Sequence, residues 1–380
     1  MAGYVMTMNS EDALRDCIEK GYYSTNLSEP IGGFWRIPHE GTFADYMSMK
    51  KGDNIYFFIS RMLYGIGELT EINGIDCKFL NYPDAMIPMS QNFLAIKNQM
   101  ILDEYENRLN NRLVCFFRAS PMFFTGGIDM DDCLAYRPES FRMLRALWKL
   151  SFVKIDDEEN KALKDIILKR NELFINGANG VYNNREIVHQ RASTIIHENY
   201  RINPKNILSS CSEGEKIKHE MALEAGVVYE LSTNPNSIFG AWDYVSHQVI
   251  ASPFKAIDYM DKMDVFGYRF IPNYDTISRY LIIEAKKDSA STEVVDQVMK
   301  YVDWVNQEYS NRDYSSIEAF IIAYHFPQDV ISRRDEICIR NYIKGRRPTV
   351  AETWSSVRLI QYRFDSEAQI LIFSEINGNV

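Results

Sequence analysis

Charged side chains emerge from the end of an apolar run in the C-terminal half of the chain. Residues 280–283 have the β-branched and aromatic character of a buried strand, and Glu284 and Lys286 follow two apart, on one face. Asp264 adjoins a second apolar run, and a hairpin's length of loop separates the two runs, so we expect Asp264 to reach Glu284 across adjacent strands. Two such carboxylates suit Mg²⁺ (or Mn²⁺), and the lysine can activate a water or stabilise a pentavalent phosphate. Metal-dependent hydrolysis of a phosphodiester needs this combination of two carboxylates, a divalent ion and a lysine.

The elements that follow would position these side chains. Residues 292–306 form a predicted helix in which Gln297 and Tyr301 lie four apart, on one face, with valines at the apolar positions. Residues 317–324 then have the apolar character of another buried strand. We expect Gln297 to support the charged set from the helix behind it.

The order Asp264, Glu284-x-Lys286, Gln297-x-x-x-Tyr301, strand resembles the PD-(D/E)xK nuclease superfamily, in particular its branch with a Gln-x-x-x-Tyr helix. In that family the first acid usually follows a proline, and Asp264 does not. The resemblance implies a restriction-endonuclease-like α/β domain that hydrolyses nucleic acid. It also implies catalytic roles for Asp264, Glu284, Lys286 and Gln297.

In the same superfamily a glutamate on the first helix often completes the metal shell. Glu220 and Glu224 lie four apart on a predicted helix and share one face, so either could serve, with Glu224 slightly preferred. The resemblance thus implies metal ligation by Glu224, Asp264 and Glu284. Asp258 and Asp261 compete with Asp264 for the first acid, and the position of Asp264 directly before the apolar run favours Asp264.

The N-terminal part carries a second motif. A tryptophan, Trp35, precedes Lys-Gly-Asp-x-Ile-Tyr-Phe-Phe at residues 51–58 and Tyr-Gly-Ile-Gly-Glu-Leu at residues 64–69, which predicts a hairpin. This order resembles the PUA-like barrels, especially the EVE and YTH group. The resemblance implies nucleic-acid binding, with an extruded modified base held among aromatics, and the cage candidates are Trp35, Tyr64, Phe123 and Phe124. Aromatics on barrel strands are more often core, which is the competing interpretation.

The net charge of −10 argues against indiscriminate coating of nucleic acid, because phosphate binding depends on Lys and Arg. A local basic run between residues 331 and 350 includes Arg346 and Arg347, which are candidates for phosphate contacts. A solvated surface run explains the same residues equally well.

Six cysteines are scattered singly, without a Cys-x-x-Cys pair, so they predict neither a zinc knuckle nor a disulfide framework. We find no signal peptide and no apolar run long enough to span a bilayer, so we expect a cytoplasmic protein with no membrane partner.

The predicted fold class is α/β and α+β multidomain. Residues 1–170 form a PUA-like β-barrel with helices, residues 171–210 a helical linker, and residues 211–380 the nuclease domain. We expect a Mg²⁺-dependent DNA endonuclease, in modification-dependent restriction or another antiphage role, that acts on DNA such as modified phage DNA. Double-strand cutting favours a homodimer or higher oligomer. The alternatives are a non-catalytic nucleic-acid reader with a degenerate nuclease fold and an RNA-directed nuclease.

Overall fold

The computed structural model describes residues 1–27, 37–83, 85, 93–102, 111–146, 152–177, 179–251, 261–345 and 347–376. The described helices are α1 (Glu11–Lys20), α2 (Ile37–Met47), α3 (Phe93–Ile96), α4 (Met130–Tyr136), α5 (Asp157–Arg170), α6 (Ile187–Ile195), α7 (Lys205–Ser210), α8 (Glu220–Thr233), α9 (Thr292–Glu308) and α10 (Gln328–Ile337). The described strands are β1 (Gly3–Thr7), β2 (Tyr22–Asn26), β3 (Asn54–Ile59), β4 (Met62–Leu69), β5 (Lys78–Leu80), β6 (Arg112–Ala119), β7 (Ile128–Asp129), β8 (Phe152–Ile155), β9 (Ser212–Glu213), β10 (Lys216–Ile217), β11 (Tyr244–Ile250), β12 (Lys262–Phe270), β13 (Ile277–Ser289), β14 (Ile317–His325), β15 (Arg340–Lys344), β16 (Val350–Trp354), β17 (Val357–Asp365) and β18 (Ile370–Glu375).

The chain is a mixed α/β protein with several sheets, and its contacts divide it into two compact units. The first unit comprises Met1–Gly33 and Met49–Ile202, and the second comprises Phe34–Ser48 and Asn203–Val380. This division differs from the predicted boundaries at two points. The predicted linker of residues 171–210 is shared between the units at Ile202, and α2 belongs to the second unit.

The first unit is built on a sheet with strand order β2-β6-β4-β3-β1-β8, which curls into a partial barrel; β5 pairs with β6, and β7 with β4. The predicted hairpin is confirmed as β3 and β4. Its two turn residues, Ser60 and Arg61, both have positive φ, at 49° and 68°, as a two-residue turn between twisted strands requires.

Two further sequence-based predictions, a turn leading into a strand at residues 32–37 and a helix over residues 138–150, are wrong where the structure describes these residues. Ile37 begins α2 rather than a strand. The helix predicted over residues 138–150 is replaced, in its described part, by turns and one 3-10 turn at Leu144–Ala146. The buried carboxylate of Glu159 accepts the backbone N–H groups of Arg142 (2.5 Å) and Leu144 (3.2 Å), so these groups are not available for helical hydrogen bonds.

The second unit is built on a six-stranded sheet with order β11-β12-β13-β14-β17-β18. Strands β13, β14 and β17 are parallel neighbours, and the remaining pairs are antiparallel. Helix α8 packs on β11, β12 and β13, α9 packs on β13 and β14, and α2 packs against α8. The predicted strands at residues 280–283 and 317–324 and the predicted helix at 292–306 are confirmed as β13, β14 and α9. Parallel strands are covered on both faces, which explains their nearly continuous apolar runs.

Among the described residues, no helix combines the length and the apolar character that crossing a bilayer requires.

Candidate metal-dependent active site

Strands β12 and β13 bring Asp264 and Glu284 to neighbouring positions in the second unit. The antiparallel register pairs Val265 with Ile283, which places Asp264 and Glu284 at the next step of the ladder. Asp264 Oδ2 accepts a hydrogen bond of 2.8 Å from the backbone N–H of Ala285. Asp264 is 8% exposed and Glu284 is 1% exposed. The hairpin therefore holds two carboxylates in a largely dry environment, as the spacing predicted.

Lys286 supplies positive charge beside both of these carboxylates. Its Nζ lies 2.9 Å from Glu284 Oε1 and 3.9 Å from Asp264 Oδ2, because residues two apart on a strand share a face. The same Nζ donates a hydrogen bond of 3.0 Å to Glu220 Oε1 on α8. The ammonium is thus fixed by three carboxylates on three different elements, β12, β13 and α8.

Helix α8 contributes two glutamates with different partners. Glu220, at its first residue, bonds Lys286, while Glu224 is 3% exposed and lies one turn further along. Gln248 of β11 links Glu224 to the hairpin, since its Nε2 donates to Glu224 Oε2 (2.9 Å) and lies 3.4 Å from Asp264 Oδ1. The two candidates that the sequence left open therefore both reach the charged set, and Glu224 is the one joined to Asp264.

Gln248 was not recognised from the sequence. It has a φ of +54° inside a strand, a left-handed conformation that costs a residue with a side chain of order 1–3 kcal/mol. The signal that could have revealed it is the polar Ser-His-Gln sequence inside the otherwise apolar β11. This conformation directs the side-chain amide of Gln248 toward the carboxylates of Glu224 and Asp264, so the strained residue lies at the candidate site.

His247, the preceding residue, links the same strand to α2. Its Nδ1 lies 3.0 Å from Asp45 Oδ1, and its side chain is 8% exposed. Burial lowers the pKa of His247, but the carboxylates of Asp45, Glu224 and Asp264 together outweigh burial and hold the pKa above its ordinary value. The sequence analysis assigned no role to either residue.

If all the buried carboxylates were ionised, they would carry more negative charge than Lys286 balances. The pKa values of Glu224 and Glu284 are both raised to about 8, chiefly by burial and next by the neighbouring Asp264 carboxylate. Burial also raises the pKa of Asp264. Burial lowers the pKa of Lys286, but Glu284 and Asp264 outweigh this effect and hold it above its usual range. A further cation would relieve this repulsion.

One carboxylate oxygen of this set is available to bind an ion. Glu284 Oε2 is buried and makes no hydrogen bond among the described residues. A buried carboxylate oxygen left in this state is costly unless a ligand satisfies it. Carboxylate oxygens are the donors that Mg²⁺ prefers, so Glu224, Asp264 and Glu284 have the donor type that such an ion takes.

Gln297 and Tyr301 form a support on α9. Gln297 Nε2 donates a hydrogen bond of 2.7 Å to the Tyr301 hydroxyl, which donates in turn to the backbone carbonyl of Lys262 at 2.8 Å. Lys262 opens β12, two residues before Asp264. The pair therefore fixes the strand that carries the first acid, and Gln297 acts on it through Tyr301.

The predicted aromatic cage is only partly described. Phe123 and Phe124 are 0% and 1% exposed, and the Phe123 ring packs 5.8 Å from that of Phe57 and 5.5 Å from that of Phe117. We therefore correct the expectation for these two residues, whose burial makes them part of the core of the first unit. Tyr64 is half-buried, and Trp35 lies outside the described residues.

The basic run is largely paired with acids where it is described. Arg333 lies 2.8 Å from Asp296, and Arg340 lies 2.8 Å from Asp303. Arg347 is exposed, and Arg346 lies outside the described residues. The positive charge that remains for phosphate contacts is therefore smaller than the sequence implied.

The second unit also contains a separate group of mixed donors that could bind a metal. Glu40, Cys211 and His219 each offer one ligand atom, and these atoms all lie within 4.8 Å of one another. No local sequence pattern links these residues, because Glu40 lies 179 residues before His219 along the chain.

Comparisons with known proteins add little to this geometry. No family model matches the chain, and no curated protein matches it. The crystal structure of a repair endonuclease from Pyrococcus abyssi is similar over 34% of this chain, at 20% identity and a TM-score of 0.22. The match covers 46% of that chain, so less than half of its length is spanned. A likeness this weak carries no weight in the assignment that follows.

Proposed function

We propose that the chain is a metal-dependent DNA endonuclease whose centre is formed by Asp264, Glu284 and Lys286. The observation that carries the proposal is the buried, unpartnered Oε2 of Glu284 beside a second buried carboxylate and an ammonium group. A buried polar atom without a partner calls for an explanation, and ion binding is one that also accounts for the charges clustered around Glu284.

Each side chain has a distinct task in this proposal. Asp264, Glu284 and Glu224 would hold Mg²⁺, which when bound polarises a scissile phosphate and makes a coordinated water more acidic. Lys286 orients the attacking water or neutralises charge that develops on the phosphate. Glu220 fixes the lysine, and Gln248 sets the orientation of Glu224 toward Asp264.

The first unit is the proposed DNA-recognition module. Its support is the sequence resemblance to PUA-like domains together with the confirmed β3–β4 hairpin and the half-buried Tyr64. Recognition of a flipped modified base, and with it an antiphage or modification-dependent restriction role, extends this proposal. A dimer would place two centres on one duplex, as double-strand cutting requires.

The direct test is cleavage of matched phage DNAs that differ only in base modification, with Mg²⁺, Mn²⁺ or EDTA. We expect cleavage with either metal, none with EDTA, and a preference among the modified DNAs. A ribonucleotide substrate of the same sequence tests the RNA alternative. Binding without cleavage under every metal condition would replace the proposal with a non-catalytic nucleic-acid reader.

Trp35→Ala tests the proposed recognition of an extruded base in the full-length protein, at a residue that the contacts assign to the second unit. If Trp35 stacks on an extruded base, the variant should bind modified DNA more weakly by about 1–3 kcal/mol and bind plain DNA as the parent does. Fluorescence anisotropy with both DNAs measures the difference. Phe123→Leu is the control for a buried core aromatic, and it should leave the relative affinity for modified and plain DNA unchanged. Equal losses on both DNAs for Trp35→Ala would place Trp35 in the core instead.

Replacing Arg346 and Arg347 together with glutamine tests the basic run. Affinity should fall alike for all sequences, and the slope of log affinity against log salt should flatten by about one unit for each lost phosphate contact. Arg333→Gln is the matched control, because that guanidinium is already held by Asp296 and Glu336. An unchanged slope in the double variant would make this run an ordinary solvated surface.

A further inference from the structure

The Glu40–Cys211–His219 group lies where three elements of the second unit meet. Glu40 is on α2, Cys211 directly follows α7, and His219 directly precedes α8. Glu40 Oε1 lies 2.7 Å from His219 Nδ1 and accepts a hydrogen bond of 3.0 Å from Cys211 Sγ, while Sγ and Nδ1 are 3.8 Å apart. Three donor atoms of different chemistry therefore face one small volume.

The carboxylate of Glu40 is incompletely satisfied. Glu40 and Cys211 are both 0% exposed, and Glu40 Oε2 makes no hydrogen bond among the described residues. A buried carboxylate is retained only when a cation or several hydrogen bonds stabilise it, because its desolvation costs several kcal/mol. The unpartnered Oε2 is thus an independent sign that a ligand belongs here.

The donor set selects the class of cation. Thiolate, imidazole and carboxylate together suit Zn²⁺ and related transition metals, whereas Mg²⁺ and Ca²⁺ prefer oxygen donors alone. Donor atoms on one tetrahedral zinc ion lie roughly 3.3–3.7 Å apart. The separations of 2.7, 3.0 and 3.8 Å reach those values with side-chain shifts below an ångström or so.

A nucleophilic Cys–His–Glu triad would use the same residue types and is disfavoured by two observations. A reactive cysteine is partly accessible and lies within hydrogen-bond distance of its base. Cys211 is 0% exposed, and the 3.8 Å between its Sγ and the imidazole is long for that proton transfer.

We propose that Glu40, Cys211 and His219 bind one zinc-class transition-metal ion in a site distinct from the proposed nuclease centre. Three protein ligands leave a fourth position for water. Binding releases the thiol proton of Cys211 to solvent and requires the imidazole proton of His219 to reside on Nε2. The ion fastens α2 to the start of α8, and His219 immediately precedes Glu220, which holds Lys286.

Metal content and a cobalt spectrum test this site in the full-length protein. Protein purified without chelator should contain one zinc per chain, and Co²⁺ in its place should give a thiolate-to-cobalt charge-transfer band. Cys211→Ser, Glu40→Gln and His219→Asn should each reduce bound zinc to less than about a tenth of the parent content. Thermal stability should fall on chelation, and Zn²⁺ but not Mg²⁺ should restore it.

Matched controls separate this site from other thiols and from the nuclease centre. Cys338→Ser removes another buried thiol of the second unit, and Glu284→Gln alters the nuclease centre; both should keep the zinc and the cobalt band. If a ligand variant fails to fold, the parent's own cobalt spectrum decides the question. A parent that binds no zinc and shows no thiolate–cobalt band would reduce the group to a hydrogen-bonded cluster, as would full zinc retention by Cys211→Ser.

Discussion

Lys286→Ala is expected to lower the rate of DNA cleavage by roughly a thousandfold or more, because a charge that acts on the transition state is lost. DNA binding should stay nearly unchanged. Mg²⁺ affinity should stay equal or rise, since Asp264 and Glu284 lose a competing cation within 4 Å. Single-turnover cleavage and calorimetric Mg²⁺ titration separate these effects.

Lys287→Ala provides the matched control. Its ammonium pairs with Asp288 at 2.8 Å, one residue away from the proposed centre along the same strand. That variant should cut as the parent does. If Lys286→Ala also cuts at the parental rate, the catalytic role is wrong. If the variant loses both cleavage and Mg²⁺ binding, Lys286 is a structural residue.

Asp264→Asn is expected to weaken Mg²⁺ binding by more than about a hundredfold and to abolish cleavage with it. The asparagine oxygen can still accept the Ala285 N–H, so the hairpin should fold. Asp261→Asn is the control, because Asp261 is a competing acid and is exposed. Calorimetry at fixed pH measures both affinities, and equal affinities in the two variants would contradict the assignment.

The same residues predict a pH dependence of stability in the absence of metal. The folded-state pKa values of Glu224 and Glu284, about 8, lie above the ordinary value of 4.5, so the folded state binds protons more tightly than the unfolded chain. Stability in EDTA should therefore fall as pH rises from 4.5 to 8, and Mg²⁺ should offset the loss. Asp264→Asn should flatten this slope, because the Asp264 charge contributes to both shifts. Urea unfolding across the range, with and without Mg²⁺, measures the effect.

Sequence reasoning located the hairpin of the proposed centre because its signals are local. The period of two places Glu284 and Lys286 on one face, and the apolar run makes β13 recognisable. The contribution of Gln248 could not be found in the same way, because it depends on a left-handed φ and on contacts with residues of two other elements. Glu220 and Glu224 could be placed on one helix face, but only tertiary packing assigns one to Lys286 and the other to Asp264.

The misplaced predictions have the same origin. A phenylalanine such as Phe123 suits a cage and a core equally well. Its burial against Phe57 and Phe117 depends on tertiary packing, which the local sequence does not show. The helix predicted over residues 138–150 rests on local propensity. Glu159 of α5 overrides this propensity, because its buried carboxylate accepts the backbone N–H groups of Arg142 and Leu144.

The assignment of α2 to the second unit has a consequence for synthesis of the chain. Glu40 and His219 are separated by 179 residues, so at about 5–20 residues per second the helix emerges from the ribosome roughly 10–40 s before the start of α8 exists. During that interval Phe43, Tyr46 and Met47, which are buried in the finished protein, have no packing partner from α8 or β11. A nascent chain in this state is a substrate for chaperones, and a fragment that starts at Asn203 lacks α2 altogether.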